Sequence, residues 1–173
     1  LYELVLASQQ AAIAATRPGA RFTDPHEAAV RVLTQGMLDL GLIDKGQHGT
    51  LEDAIAHRAY FAHYMHRTGH WLGMDVHDCG SYVEPGEVGQ PRPRRDPLSG
   101  ELIQDRPSRI LRPGIVLTIE PGLYVRPSEK VPSAFWNIGI RIEDNAVVTA
   151  DGCELLSRGV PVEPDAIEAL MRP

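Results

Sequence analysis

Residues Ile115-Val116-Leu117-Thr118-Ile119-Glu120 form an almost unbroken apolar, β-branched run that begins after Arg112-Pro113-Gly114 and stops at Pro121-Gly122. β-Branched side chains are stiff at χ1 and favour extended backbone, and a Pro-Gly pair ends a strand because each residue suits a turn. The run therefore reads as a strand, with Glu120 at its end on the face of Thr118, since strand side chains alternate. Two further segments, Ile138 to Glu143 and Ala146 to Thr149, have strand composition and flank Asp144-Asn145, which predicts a hairpin around that pair.

Helices are predicted on both sides of these strands. Leu1, Leu4, Val5, Ala12 and Ile13 mark the apolar positions of a helix from Leu1 to Ala15, broken by Arg17-Pro18-Gly19. Asp24 is the expected cap of a second helix, with Pro25 in the first turn and Glu27 completing a capping box. Val30, Leu33, Met37 and Leu38 are its buried face, and Gly41 ends it. A shorter helix is predicted from Leu51 to His57, and a last one from Pro164 to Met171. The stretch from Ala59 to Asp78, rich in His, Gly and aromatics, has no clean period and reads as strand and loop around a site. Glu84 to Ser108, with its prolines, glycines and mixed charges, has the composition of a surface loop inserted within one domain spanning residues 1–173. The fold class is α/β, with helices packed on a mainly antiparallel sheet.

Composition narrows the function classes. The 173 residues, 43% hydrophobic and 23% charged, suit one soluble globular domain. No apolar run approaches the roughly 20 residues needed to cross a bilayer, so no membrane partner is expected. The net charge of -6 and the local nature of clusters such as Arg92-Pro93-Arg94-Arg95 give no electrostatic footprint for nucleic acid. Cys79 and Cys153, the only cysteines, lack CxxC spacing; neither a disulfide framework nor a thiolate zinc site is indicated, and a reducing cytoplasm is favoured. A small or peptide substrate is the class that remains.

His66, His70 and His77 fall close together beside Gly69, Trp71 and Gly73. The spacing of His66 and His70 would share a helical face, as in zinc peptidases of the HExxH type, but no Glu follows His66. Each of the two glycines also costs a helix about 1 kcal/mol relative to Ala. Irregular or extended backbone that carries polar groups into a cleft is the better reading. Glu120 ends its strand, and Glu143 shares a strand face with Arg141 while Ile140 and Ile142 point away. One histidine and two glutamates are the nitrogen and oxygen donors of a zinc, manganese or cobalt site. Residue type alone leaves the bland alternatives open: a histidine packed on aromatics, and glutamates in solvated turns or ion pairs.

The segment His66-Arg67-Thr68-Gly69-His70-Trp71-Leu72-Gly73-Met74-Asp75-Val76-His77-Asp78 strongly resembles the Xaa-Pro aminopeptidases, metallopeptidases of the pita-bread fold. Leu117-Thr118-Ile119-Glu120-Pro121-Gly122-Leu123-Tyr124 resembles their next motif, and Ile138-Gly139-Ile140-Arg141-Ile142-Glu143-Asp144 the third, in the family's order. The resemblance implies a pita-bread catalytic domain, of which this chain matches the C-terminal part, and two divalent metal ions, most often Mn2+, with Co2+ or Zn2+ as alternatives. It implies that His70 is a terminal metal ligand, Glu120 a second ligand and proton shuttle, and Glu143 a bridging carboxylate, with a metal-activated water as nucleophile. His77 would stabilise the carbonyl oxygen of the substrate, His66 would lie near the proline subsite, and Arg141 would help shape it. Substrates would be peptides with proline at the second position, and association into a homo-oligomer is expected.

Family members carry two aspartate ligands just before the helix with which this chain opens, and no residue of the chain stands at those positions. Asp24 and Asp39 do not replace them, because both belong to the helix that follows. The fold is thus expected to be incomplete on its N-terminal side, and residues 1–173 alone are expected to be inactive. Prolidase, which accepts only X-Pro dipeptides, and a non-catalytic pita-bread binding module are the alternatives.

Overall fold

A computed structural model of the chain describes residues 1–89, 91–95, 102–104 and 106–172. Helix α1 spans Tyr2–Ala15, α2 Asp24–Asp39, α3 Lys45–His48, α4 Leu51–Ala56 and α5 Pro164–Met171. All strand pairs are antiparallel. β1 (Leu72–Gly73) pairs with β2 (Val76–His77), and β3 (Pro91–Arg95) with β4 (Leu102–Gln104). β5 (Val116–Ile119), β8 (Asp144–Val148) and β9 (Cys153–Leu155) form a three-stranded sheet in the order β5-β8-β9, while β6 (Gly122–Val125) pairs with β7 (Ile138–Arg141).

The expected hairpin around Asp144-Asn145 is not formed. Ile138–Arg141 pairs with Gly122–Val125, and Asp144–Val148 lies between β5 and β9, so the chain leaves one ladder and joins another at Ile142-Glu143. The reason is packing: Asp144 is 3% exposed and ends in a buried polar cluster, which fixes it inside a strand rather than at a turn tip. The capping box of α2 is also absent. Thr23 is the cap residue, and the Asp24 carboxylate turns back to accept the Arg21 N–H at 2.8 Å. A capping box does form one helix later, where Thr50 and Asp53 satisfy each other's backbone N–H groups at the start of α4.

The largest core cluster lies between the helices and the β6–β7 ladder: Val5 and Leu6 of α1 and Leu33 and Met37 of α2 meet Tyr64, Leu123, Val125 and Ile142. A second cluster of Phe22, Trp71, Leu111, Leu117 and Val148 packs around the first half of β5. A third joins Ala12 and Ala29 to Ile119 and Ala146, small residues that let the two helices approach the β5–β8 ladder closely. Leu117 and Ile119 share one face of β5, which is therefore covered by the aromatic cluster toward the start of the strand and by the helices toward its end, while Thr118 and Glu120 face the other way.

The segment 84–108 is tied at its root. Glu84 N–H donates to Pro107 O, Val83 bridges Ser108, and the Glu84 carboxylate, itself 6% exposed, accepts from the Ile110 N–H and pairs with Arg112. Arg21 pairs with Glu87 at 2.7 Å nearby. Residues 90, 96–101 and 105, which belong to the same expected loop, lie outside the described residues.

Candidate metal centre

Two of the three donors are positioned by β5 and the segment beside it. The extended segment 68–71 runs antiparallel beside it: Thr118 N–H donates to His70 O at 2.9 Å, Glu120 N–H to Thr68 O at 2.6 Å, and Trp71 bridges Leu117. This close approach is why Gly69 stands there, since a Cβ on it would sit 2.1 Å from the Thr118 carbonyl oxygen. Gly73 has the same role in the β1–β2 hairpin, where a Cβ would meet Asp78 N at 2.6 Å. The glycines that argue against a helix are thus the ones that permit the extended pairing.

His70, on that segment, and Glu120, off the end of β5, face each other. His70 Nδ1 lies 2.9 Å from Trp71 O, and because a carbonyl only accepts, Nδ1 carries the proton. Nε2 then keeps its lone pair and points to Glu120 Oε1 at 3.4 Å. Thr118 locks both residues: its hydroxyl accepts the His70 N–H at 3.0 Å and donates to Glu120 Oε1 at 3.0 Å. Glu143 completes the group, with one donor atom from each of His70, Glu120 and Glu143 lying within 4.8 Å of the others. Desolvation of its inner side, and then the charge of Glu120, raise the Glu143 carboxyl above its ordinary pKa.

This donor set fits a divalent cation. One imidazole nitrogen and two carboxylates are the ligands manganese, cobalt and zinc accept, and an Nδ1–H on a backbone carbonyl is how a ligating imidazole is usually held. A cation would also neutralise the two carboxylates that otherwise repel.

His77 stacks obliquely near His70, ring centroids 4.1 Å apart, from the exposed β2. Its neighbour Val76 has φ +71°, an unusual conformation for a β-branched residue, in the tight hairpin that carries His77. His66 is farther out. Its Nδ1 donates to Arg67 O at 2.7 Å, so Nε2 accepts from the Tyr124 hydroxyl at 3.0 Å, and that hydroxyl accepts from Arg141 Nε at 2.8 Å. Arg141 Nη1 also reaches Glu120 Oε2 at 3.4 Å. Desolvation, and then the positive charge of Arg141, lower the pKa of His66 and favour its neutral form.

The three donors and the group His66–Tyr124–Arg141 therefore share one face. Thr118 and Tyr124 were not singled out by the sequence reading, although both had a signal. Thr118 shares a strand face with Glu120, and Tyr124 sits opposite Gly139 in the β6–β7 register, a glycine placed to make room for a ring. Behind the centre, the Thr68 hydroxyl links Tyr64 to His26 Nδ1 at 2.9 Å, and burial lowers the His26 pKa to about 4.

The chain is similar to known proteins over nearly its whole length. The model of metallopeptidase family M24 matches residues 1–150. The Xaa-Pro aminopeptidase of Escherichia coli is 39% identical over 171 residues, covering 99% of this chain and 33% of that protein. Among solved structures, the Pseudomonas aeruginosa aminopeptidase PepP matches with a TM-score of 0.78 and 45% identity, over 98% of this chain and 33% of that one. Zinc-substituted aminopeptidase P of E. coli in complex with product matches with a TM-score of 0.78 and 38% identity, over 98% and 33%. The chain spans about a third of the length of the curated relatives it matches. The likeness to aminopeptidase P structures agrees with the pita-bread arrangement expected from the motifs. With the family model running through all three motifs, and those motifs converging on one group of donors, the chain belongs to metallopeptidase family M24.

Proposed function

We propose that this chain carries the metal-ligating and substrate-facing part of an Xaa-Pro aminopeptidase, which hydrolyses the bond between an N-terminal residue and a following proline. One observation carries the reading: His70, Glu120 and Glu143, from three separate segments, bring donor atoms within 4.8 Å of one another, with His70 Nε2 left free to ligate. His70, Glu120 and Glu143 would hold the divalent ions, with Mn2+ the first choice and Co2+ or Zn2+ as alternatives. Such ions, when bound, lower the pKa of a water molecule and polarise the scissile carbonyl.

The chain's own residues supply the rest. Glu120, oriented by the Thr118 hydroxyl, is the group that holds a proton during attack and passes it to the proline nitrogen. His77 donates to the carbonyl oxygen as charge develops there. His66 and Arg141, joined through Tyr124, form the wall of the proline subsite. Within the same reading the protein works as a homo-oligomer in a reducing cytoplasm, and residues 84–108 are an insertion in a single catalytic domain. Among the described residues, no helix is long and apolar enough to cross a membrane.

The test is substitution of each donor in the full-length protein. His70→Ala, Glu120→Ala and Glu143→Ala are each expected to abolish cleavage of an X-Pro peptide and to lower bound manganese. Normal turnover and metal content in any one of them removes that residue from the centre. Comparing an X-Pro dipeptide with longer X-Pro peptides separates an aminopeptidase from a prolidase. The family resemblance places two aspartate ligands ahead of α1, so residues 1–173 expressed alone are expected to hold one cation loosely and to cleave nothing.

A further inference from the structure

A buried polar cluster lies on the far side of the β5–β8 ladder from the donors. Gln9, 0% exposed on α1, directs its Nε2 group to Asp144 Oδ2 at 3.2 Å and to Ile119 O at 3.4 Å. Asp144 also accepts from Ser157 Oγ at 2.7 Å and pairs with Arg158 Nη2 at 2.7 Å. Ile119 and Asp144 are register partners, the last matched pair of the β5–β8 ladder. Beyond that pair the two strands part, and the next residue outward on each is a donor: Glu120 follows Ile119, and Glu143 precedes Asp144. Gln9 therefore grips both strands at the one rung from which both carboxylates spring.

Stability alone does not account for this cluster. Gln9 Oε1 and Arg158 Nε are buried without a hydrogen-bond partner among the described residues, while Gln9 Nε2 is committed to Asp144 and the Ile119 carbonyl. Unpartnered buried polar atoms in native folds call for a role beyond packing. The Arg158 guanidinium balances the Asp144 charge on its own side of the ladder.

We infer that Gln9, acting through Asp144 and the Ile119 carbonyl, is a positioning residue that sets the separation of Glu120 and Glu143 for metal binding. It touches neither substrate nor metal; it fixes the rung that the two ligating residues extend. This rests on the metal-site reading above. It assigns a function to the opening helix, which bears none of the three motifs.

The experiment uses the full-length protein and two near-isosteric variants, Gln9→Met and Asp144→Asn. Manganese affinity is measured by titration calorimetry, the melting temperature in EDTA, and kcat and KM on an X-Pro peptide at saturating manganese. Both variants are expected to weaken manganese binding at least tenfold, in the range found when an outer partner of a metal ligand is lost. KM stays within twofold while kcat falls. Gln9→Met removes an unpartnered buried oxygen and also two Nε2 hydrogen bonds, opposing effects that keep its metal-free melting temperature within about 4 °C of the unsubstituted protein while its metal affinity drops. A folded Gln9→Met variant with unchanged manganese affinity overturns the inference, as does one whose affinity falls only together with its metal-free stability. If Asp144→Asn does not fold, Gln9→Met decides alone. If the unsubstituted protein takes up none of manganese, cobalt and zinc, the metal-site reading itself has failed and this inference with it; normal uptake that neither variant disturbs overturns the positioning role alone.

Discussion

Gly69→Ala separates a steric requirement of the fold from any assumption about catalysis. The added Cβ would lie 2.1 Å from the Thr118 carbonyl oxygen and 3.1 Å from its carbonyl carbon, both rigid backbone atoms. Gly69 has no positive φ, so the backbone conformation itself accepts alanine, and the whole cost comes from the clash. Relief requires the segment 68–71 to move off β5, which breaks the bonds from Glu120 N–H to Thr68 O and from Thr118 N–H to His70 O. Overpacking costs about 1–3 kcal/mol, and each buried N–H left unpaired about 1–3 kcal/mol more, so the loss is about 3 kcal/mol even at the low end. For a chain of this size that corresponds to a drop of about 6–12 °C in melting temperature. Calorimetry in EDTA measures it without interference from metal. Gly152→Ala is the control, because a Cβ there meets nothing within 4 Å. If Gly69→Ala melts within about 2 °C of that control, the pairing of segment 68–71 with β5 is not what holds the centre together.

Three further outcomes follow from single contacts. His26 is held neutral by burial, with its pKa lowered to about 4 from an unfolded value near 6.5; its contribution is present above pH about 6.5 and lost as the pH falls toward 4, so His26→Asn should flatten that part of a stability-versus-pH curve. The Arg112 guanidinium and the Ile110 N–H hold the Glu84 carboxyl near about 2, so its contribution persists above the ordinary carboxylate range and disappears only in strong acid; Glu84→Gln should lose the step between about pH 4.5 and 2 in acid denaturation followed by circular dichroism. Tyr124→Phe keeps the ring but removes the hydroxyl between His66 and Arg141, and a fall of about tenfold in kcat/KM on an X-Pro peptide is expected, a change of about 1.4 kcal/mol; an unaltered value would detach that pair from the reaction.

Local pattern carried much of the fold. The strand after Pro113-Gly114 is visible because five apolar or β-branched residues leave little other choice, and the helices Tyr2–Ala15 and Pro164–Met171 lie where their residues indicate. What pattern could not supply is which strand pairs with which. Asp144-Asn145 has the residues of a turn, yet the buried Asp144 carboxylate pairs with the partly exposed Arg158 and accepts from Ser157, fourteen and thirteen positions away, which holds Asp144 inside a strand. The short helix Lys45–His48 was missed because Gly46 is a poor helix former; it exists because the Asp44 side chain caps it. At the centre, residue type pointed to a histidine and two glutamates, but their convergence became legible only through the three ordered motifs. Gln9 did leave a trace, since it falls at helical spacing between the buried Val5 and Ala12, where an apolar residue would be routine.

The hold of Gln9 on Asp144 spans 135 residues of sequence, and that distance becomes time when the chain is made. At ordinary ribosomal rates of about 5–20 residues per second, helix α1 emerges roughly 7–27 s before the strand that its buried glutamine grips over those 135 residues. Until β5 and then β8 are made, the side of α1 bearing Gln9 and Ala12 lacks the strands of this chain that pack on it, although α2 is already available to its other apolar residues. The rung between Ile119 and Asp144 cannot close until nearly the whole of this chain is out, so the donor group is among the last features to form. On the proposed reading, a nascent chain stalled before Asp144 would lack the rung from which Glu120 and Glu143 extend, so the three donors would not yet be assembled to take a cation.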